Sequence, residues 1–277
     1  MVVLAACVAL FGAGAACGGG GADAEKSVVH TVRASIQAEN AKNADAFLRL
    51  WTDRGLARYD SGTRNEIANG TADGFGQDRV DILKVVRTTL SEGNKASVRV
   101  DAAPRDFHVA RVVYRVQFDL IKRKGRWLID GFAFNGSPSA IAGAEIVDIK
   151  AQEYSFALSK PTTGSDVGFT FENVGKEQHE LTLFKAPDAT TLDVALAAVE
   201  NVDGDTLQNL PAGYTADHLS FADLGQKLRV SFAQPLAKGT YVMACFLPQG
   251  GFGKNGPNNP NGKPHVQLGM INLLTVA

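Results

Sequence analysis

Cysteine is the scarcest reactive residue in this 277-residue chain, with three copies, at positions 7, 17 and 245. That is too few for the stapled framework of a small disulfide scaffold. Histidine is almost as sparse, at five, which excludes an oxidase built on several copper ions and their many imidazoles. A surplus of one charge is missing as well. Lys and Arg total 28 against 29 Asp and Glu, a net charge of −1, so the basic footprint of a nucleic-acid-binding protein is absent. No apolar run reaches the length of a comfortable bilayer span. Nor is there a Ser-His-Asp motif, a phosphate-binding loop or a dinucleotide fingerprint. What remains is globular: 45% hydrophobic and 21% charged residues, in a length that suggests about two domains.

The N-terminal "VVLAACVALFGAGAAC" (residues 2–17) is uncharged and apolar, and "GGGG" follows it at once. It suits the apolar core of a secretory signal. "GAAC", ending at Cys17, resembles a bacterial lipobox, with Gly14 where Leu is usual, and "LAAC", ending at Cys7, is the alternative. The resemblance implies that residues 1–17 are a lipoprotein-type signal and that Cys17 carries lipid. The protein is then expected to be exported to the periplasmic side of the cell envelope and held to the membrane by that lipid only. Cys245 is left without a disulfide partner in an oxidising compartment, where a free thiol calls for an explanation.

Residues 27–40 and 43–59 read as two helices, the second capped by Asn43 and carrying Ala46, Phe47, Leu50 and Trp51 at helical spacing. Strand-like runs follow at residues 80–90 and 95–102. Residues 106–134 then form a hairpin, in which Val112, Tyr114, Val116, Phe118 and Leu120 alternate with Arg111, Arg115, Gln117 and Asp119. Trp51 and Trp127 are expected in the core. Helices followed by an antiparallel sheet make an α+β domain. Its closing "VYRVQFDLIKRKGRWLIDGF" resembles the last hairpin of the nuclear-transport-factor-2-like cone fold, over residues 24–136. That fold hosts ligand pockets and active sites alike.

After a small, polar stretch broken by Pro138, the runs "AEIVDIKAQEYSFAL", "SDVGFTFENVG", "HELTLFKA", "KLRVSFAQPLAKGTYVMACFLP" and "HVQLGMINLLTV" alternate with Gly/Pro/Asn turns. This is the pattern of an all-β sandwich over residues 145–277. Residues 190–202, with Leu192, Leu196 and Val199 at helical spacing, read as an inserted helix. His218 reads as a solvated loop residue.

Within the sandwich, His179 opens a strand, Cys245 closes one, and His265 and Met270 precede the last. Thiolate and thioether are soft donors that favour Cu(I), and imidazole serves both oxidation states. "F-x-N-x-G…H" (Phe171 to His179), "G-T-Y…C" (Gly239 to Cys245) and the His265-to-Met270 run resemble the cupredoxin family, the plastocyanin and azurin group. The resemblance implies a Greek-key sandwich and a single type 1 (blue) copper site with His179, Cys245, His265 and Met270 as ligands. It also implies electron transfer to a redox protein rather than catalysis, with His265 on the solvent side. One departure is the nineteen residues between Cys245 and His265, where the family has only a few. A Gly/Asn/Pro-rich excursion accounts for most of them, and loop length is entropically cheap, about 0.6 kcal/mol per doubling. Met243 shares a strand face with Cys245 and is expected in the core. Two other functions remain open on the sequence: copper sequestration or delivery in the envelope by the same ligands, and an envelope binding module that uses no metal.

Overall fold

The computed structural model describes residues 19–277 apart from positions 60–61, 73–74, 77–78, 92–93, 136–143, 203–206, 208, 254–255, 258 and 260. The signal-like run, Cys17 and most of the expected linker lie outside the described residues. Helix α1 (Gly19–Asn40) sets Val28, Val32 and Ile36 on one buried stripe. It takes in part of the glycine run. The second helix is shorter than its periodicity suggests. Asn43 caps α2 (Ala44–Leu48) as expected, but Trp51 then bridges to Ile129 and the Thr52 N–H donates to the Ile129 carbonyl at 2.9 Å. The chain restarts as α3 (Asp53–Leu56) on a Thr52 cap. Tertiary pairing thus breaks what local spacing would continue. A further helix, α4 (Arg64–Asn69), begins on a Thr63–Glu66 capping box.

Strands β1 (Val80–Ser91), β2 (Lys95–Pro104), β3 (Val112–Arg123) and β4 (Arg126–Phe134) pair antiparallel in sequence order. One face of this sheet (Val98, Val100, Phe118, Ile129) packs on Val28, Phe47 and Trp51 of the helices. Trp51 and Trp127 are both buried, as expected.

The second half runs β5 (Glu145–Gln152), β6 (Ser155–Leu158), β7 (Thr162–Thr163), β8 (Val167–Asn173), β9 (His179–Ala186), α5 (Leu192–Val199), β10 (Thr215–Ala222), β11 (Lys227–Phe232), β12 (Gly239–Ala244), β13 (Phe252–Gly253), β14 (Gly256–Pro257), a 3-10 turn (His265–Leu268) and β15 (Ile271–Val276). Strands β10-β9-β12-β15-β7 form one sheet, and β11-β8-β5-β6 lie in the other. Val147, Ile149, Phe169, Phe171, Leu181, Leu183, Tyr241, Met243 and Leu274 fill the space between them. Helix α5 covers the outer face of the first sheet, with Ala195 and Val199 among Phe184, Val242 and Val266. Leu192, expected on its apolar stripe, is 43% exposed.

The two halves share a sheet. β3 pairs with β11 at Val112↔Phe232 and Val113↔Ser231, giving one eight-stranded sheet in the order β1-β2-β3-β11-β8-β5-β6, with β4 also on β3. Beside this junction the Asp217 carboxylate of β10 accepts the backbone N–H groups of His108, Val109 and Ala110.

Candidate metal centre

β9 and β12 are neighbours, with Thr182 opposite Ala244, and β12 pairs with β15, Ala244 opposite Ile271. This register brings the start of β9, the residue after β12 and the residues before β15 to one end of the sandwich. His179, Cys245 and His265 therefore meet there. One ligand atom from each lies within 4.8 Å of the others, and all three residues are fully buried. Met270 is also fully buried and belongs to the same apolar cluster as Cys245. Its carbonyl accepts the Cys245 N–H at 3.3 Å, and its N–H donates to the His265 carbonyl at 3.0 Å. Met243 lies in the core between the sheets, as expected.

The chain between Cys245 and His265 leaves and returns as a ladder. The Val266 N–H donates to the Cys245 carbonyl (2.7 Å), the His265 N–H to Leu247 (2.9 Å) and the Gln249 N–H to Lys263 (3.1 Å). Pro248 and Pro264 form a bridge. Beyond that base, β13 and β14 pair in a small hairpin. The excursion thus keeps its ends together, and the two donors stay adjacent despite their separation in sequence.

Each donor is held differently. The Cys245 Sγ accepts the Glu180 N–H at 3.3 Å and lies 3.4 Å from His265 Nδ1. Burial pushes the thiol up to about 12, so in the metal-free protein it is protonated at neutral pH. His265 turns its Nε2 to the Glu177 carboxylate at 2.9 Å. His179 has no hydrogen-bond partner on either ring nitrogen, and its Nε2 stands 3.9 Å from Glu153 Oε1. Each unsatisfied buried polar atom costs about 1–3 kcal/mol, and a metal ion at this point would remove the deficit on one nitrogen. Burial, and next the neighbouring His265, lower the His179 pKa to about 4. Burial lowers that of His265 against the opposing pull of Glu177. Both imidazoles are neutral at pH 7, the form in which a ring nitrogen binds a metal.

Two expectations are corrected. His265 is not on the solvent side: it is fully buried, beneath Glu177 and the Tyr154 ring, whose centroid lies 5.1 Å away at a steep angle. His218 is not a solvated loop residue. It lies on β10 and bonds through Nδ1 to the Glu180 carboxylate, which is 2% exposed and also accepts the Phe246 N–H. Glu153, Tyr154, Glu177 and Glu180, all close to the donors, carried no sequence signal. They reach the site through tertiary pairing, and their residue types are common on any surface.

No protein-family model matches the chain, and no curated protein matches it. Solved structures do resemble it. Sodium-dithionite-reduced auracyanin from the photosynthetic bacterium Roseiflexus castenholzii is 24% identical over 49% of this chain and 99% of its own, with a TM-score of 0.30. Auracyanin B is 23% identical over 48% and 88%, at 0.29. An NTF2-like protein of unknown function from Shewanella oneidensis is 11% identical over 39% and 96%, at 0.30. Structures of both folds expected from the sequence, cupredoxin and NTF2-like, are thus among those the chain resembles.

Proposed function

We propose that this protein binds one copper ion through His179, Cys245 and His265, with Met270 as a weak fourth donor, and serves as a one-electron carrier. The observation that carries the reading is the convergence of a lone buried thiol and two neutral imidazoles, one of them with no hydrogen bond to either nitrogen. Thiolate and imidazole, with the Met270 thioether in the same buried cluster as Cys245, form a soft set that favours copper over harder ions. Bound there, copper supplies a one-electron couple. The chain's own part is to hold the donors in place. Adjacent strands fix His179 and Cys245, the ladder beneath the excursion fixes His265, and the Glu180 N–H holds the sulfur. Full burial of the donors suits a centre that exchanges electrons with a protein partner rather than one that admits a substrate. The same burial, with the excursion closed at its base, favours retention over delivery of the metal. Export and anchoring through Cys17 complete the proposal; among the described residues no helix is long and apolar enough to cross a membrane.

The test is a Cu(II) titration followed by visible absorbance and EPR, with Cys245→Ser beside the wild type. The reading expects an intense thiolate-to-copper band that saturates at one equivalent and is lost in the variant. No band, or one indifferent to Cys245, would sink it. A reversible couple indicates electron transfer; ready loss of copper to a weak chelator indicates delivery.

A further inference from the structure

His265 is shut in by a second set of residues. Its Nε2 lies 2.9 Å from Glu177 Oε2, and the same oxygen accepts the Gly250 N–H at 2.8 Å, from the first residues of the excursion. The Tyr154 hydroxyl is 3.5 Å from Glu177 Oε1 and accepts from the Gln249 side chain at 3.0 Å, while its ring stands over the imidazole. Three separate segments therefore converge on the Glu177 carboxylate of the β8–β9 loop: Tyr154 from the β5–β6 turn, Gly250 from the start of the excursion and His265 from the 3-10 turn.

Glu177 is itself held. Its N–H donates to Glu153 Oε1 at 2.9 Å, and its carbonyl accepts the Asn173 side-chain amide at 2.7 Å. Tyr154 sits at φ 62°, in the left-handed region that bulky residues seldom occupy. Backbone strain of this kind persists only where the surroundings impose it.

The chemistry of the contact is directional. An ionised carboxylate only accepts hydrogen bonds. Nε2 must then carry the imidazole proton, and the lone pair of Nδ1 is left facing Cys245 Sγ, 3.4 Å away. With the opposite tautomer, Nε2 would meet Glu177 lone pair to lone pair, and Nδ1 would have no lone pair to offer.

We propose that Glu177 is a positioning residue that sets His265 in its Nε2–H tautomer and, with Tyr154, Gln249 and Gly250, forms a cap closing the donor set from solvent. The consequence for a metal rests on the copper reading above: ions enter and leave only when this cap opens. The tautomer and the closure belong to the metal-free protein as well.

The experiment is therefore run without metal. Long-range proton–nitrogen correlation on the histidine-labelled protein reads the His265 tautomer, and the rate of Cys245 modification by a small aromatic disulfide reads closure. The wild type should show a bare Nδ1 and a protonated Nε2. Glu177→Ala should mix the tautomers and speed thiol modification at least about tenfold. Glu177→Gln, whose amide oxygen still accepts from Nε2–H, should restore both readings to near wild type. A wild-type proton on Nδ1 would overturn the proposal. So would an alanine variant with unchanged tautomer and thiol rate, or a glutamine variant as disturbed as the alanine one. If the alanine variant does not fold, the wild-type tautomer and the glutamine variant decide alone. Copper is added last, and Glu177→Ala should then bind it about 10–100-fold more weakly. A wild type that shows the expected tautomer and no thiolate-to-copper band would remove the copper reading and leave the cap standing.

Discussion

The buried thiol and the two neutral imidazoles fix how the metal-free protein responds to pH. His179 has its folded pKa lowered to about 4 from an ordinary 6.5. Between those values the unfolded chain binds the extra proton, so stability falls as pH drops from 6.5 towards 4. Lowered in the same direction, His265 adds to that loss. Cys245 is raised from 9.0 to about 12; there the unfolded chain gives up its proton first, so stability falls as pH rises past 9. Denaturant midpoints of the metal-free protein should therefore plateau between about pH 6.5 and 9, and Cys245→Ser should soften the alkaline limb. The same protonation states predict that metal uptake at pH 7 releases one proton, from the Cys245 Sγ, which a weakly buffered titration will count. Gly175 matters for another reason: a Cβ there would lie 2.5 Å from Glu153 Oε1 and 2.9 Å from His179 Nε2. Gly175→Ala should cost about 1–3 kcal/mol of stability and weaken metal binding together, measured by denaturant unfolding and metal titration. The meeting of His179, Cys245 and His265 was legible in the sequence, because those donor types in that chain order are rare. Glu177 and Tyr154 were not, because a glutamate and a tyrosine acquire their role only from what the fold places beside them.

Strands with a clean alternation were the easiest elements to read. In β3 the alternation holds from Arg115 to Leu120, with Val116, Phe118 and Leu120 buried and Arg115, Gln117 and Asp119 less so, while Val112 and Val113 at its start are both buried where β11 pairs with them. β10 was missed, and the reason is visible: its pairing with β9 slips between His218 and Ser220, a bulge that breaks the period of two. The division of residues 43–59 into α2 and α3 was equally hidden, since the Trp51–Ile129 bridge that causes it spans most of the first half. The β3–β4 turn gives a clean local test. Lys124 and Gly125 have φ of 49° and 80°, and a Cβ on Gly125 would meet nothing within 4 Å. Gly125→Ala should thus cost only the conformational penalty, about 1–2 kcal/mol, in thermal or chemical unfolding. Leu183, fully buried between the sheets on β9, should cost about 2–5 kcal/mol on truncation to Ala.

At the scale of the whole molecule, the sequence suggested two folds joined by a linker and could not show that they share a sheet. The β3–β11 pairing involves two residue pairs, and Asp217 reinforces it by gathering three N–H groups from the chain leading into β3. Removing that carboxylate leaves backbone donors without a partner. In calorimetry Asp217→Ala should separate a single unfolding transition into two, or widen the gap between two already present. Unchanged transitions would mean that the short ladder suffices. The excursion after Cys245 points the other way, towards independence. Its outgoing and returning strands are tied between Cys245 and Val266, Leu247 and His265, and Gln249 and Lys263 before the chain reaches its tip. One residue past that knot, the Gly250 N–H still reaches the site through Glu177 Oε2, so the outgoing strand matters to the donors just beyond the ladder. The tied base is therefore a seam at which chain can be added without separating the donors: a recognition sequence, a label or a tether for an electrode could be written beyond it.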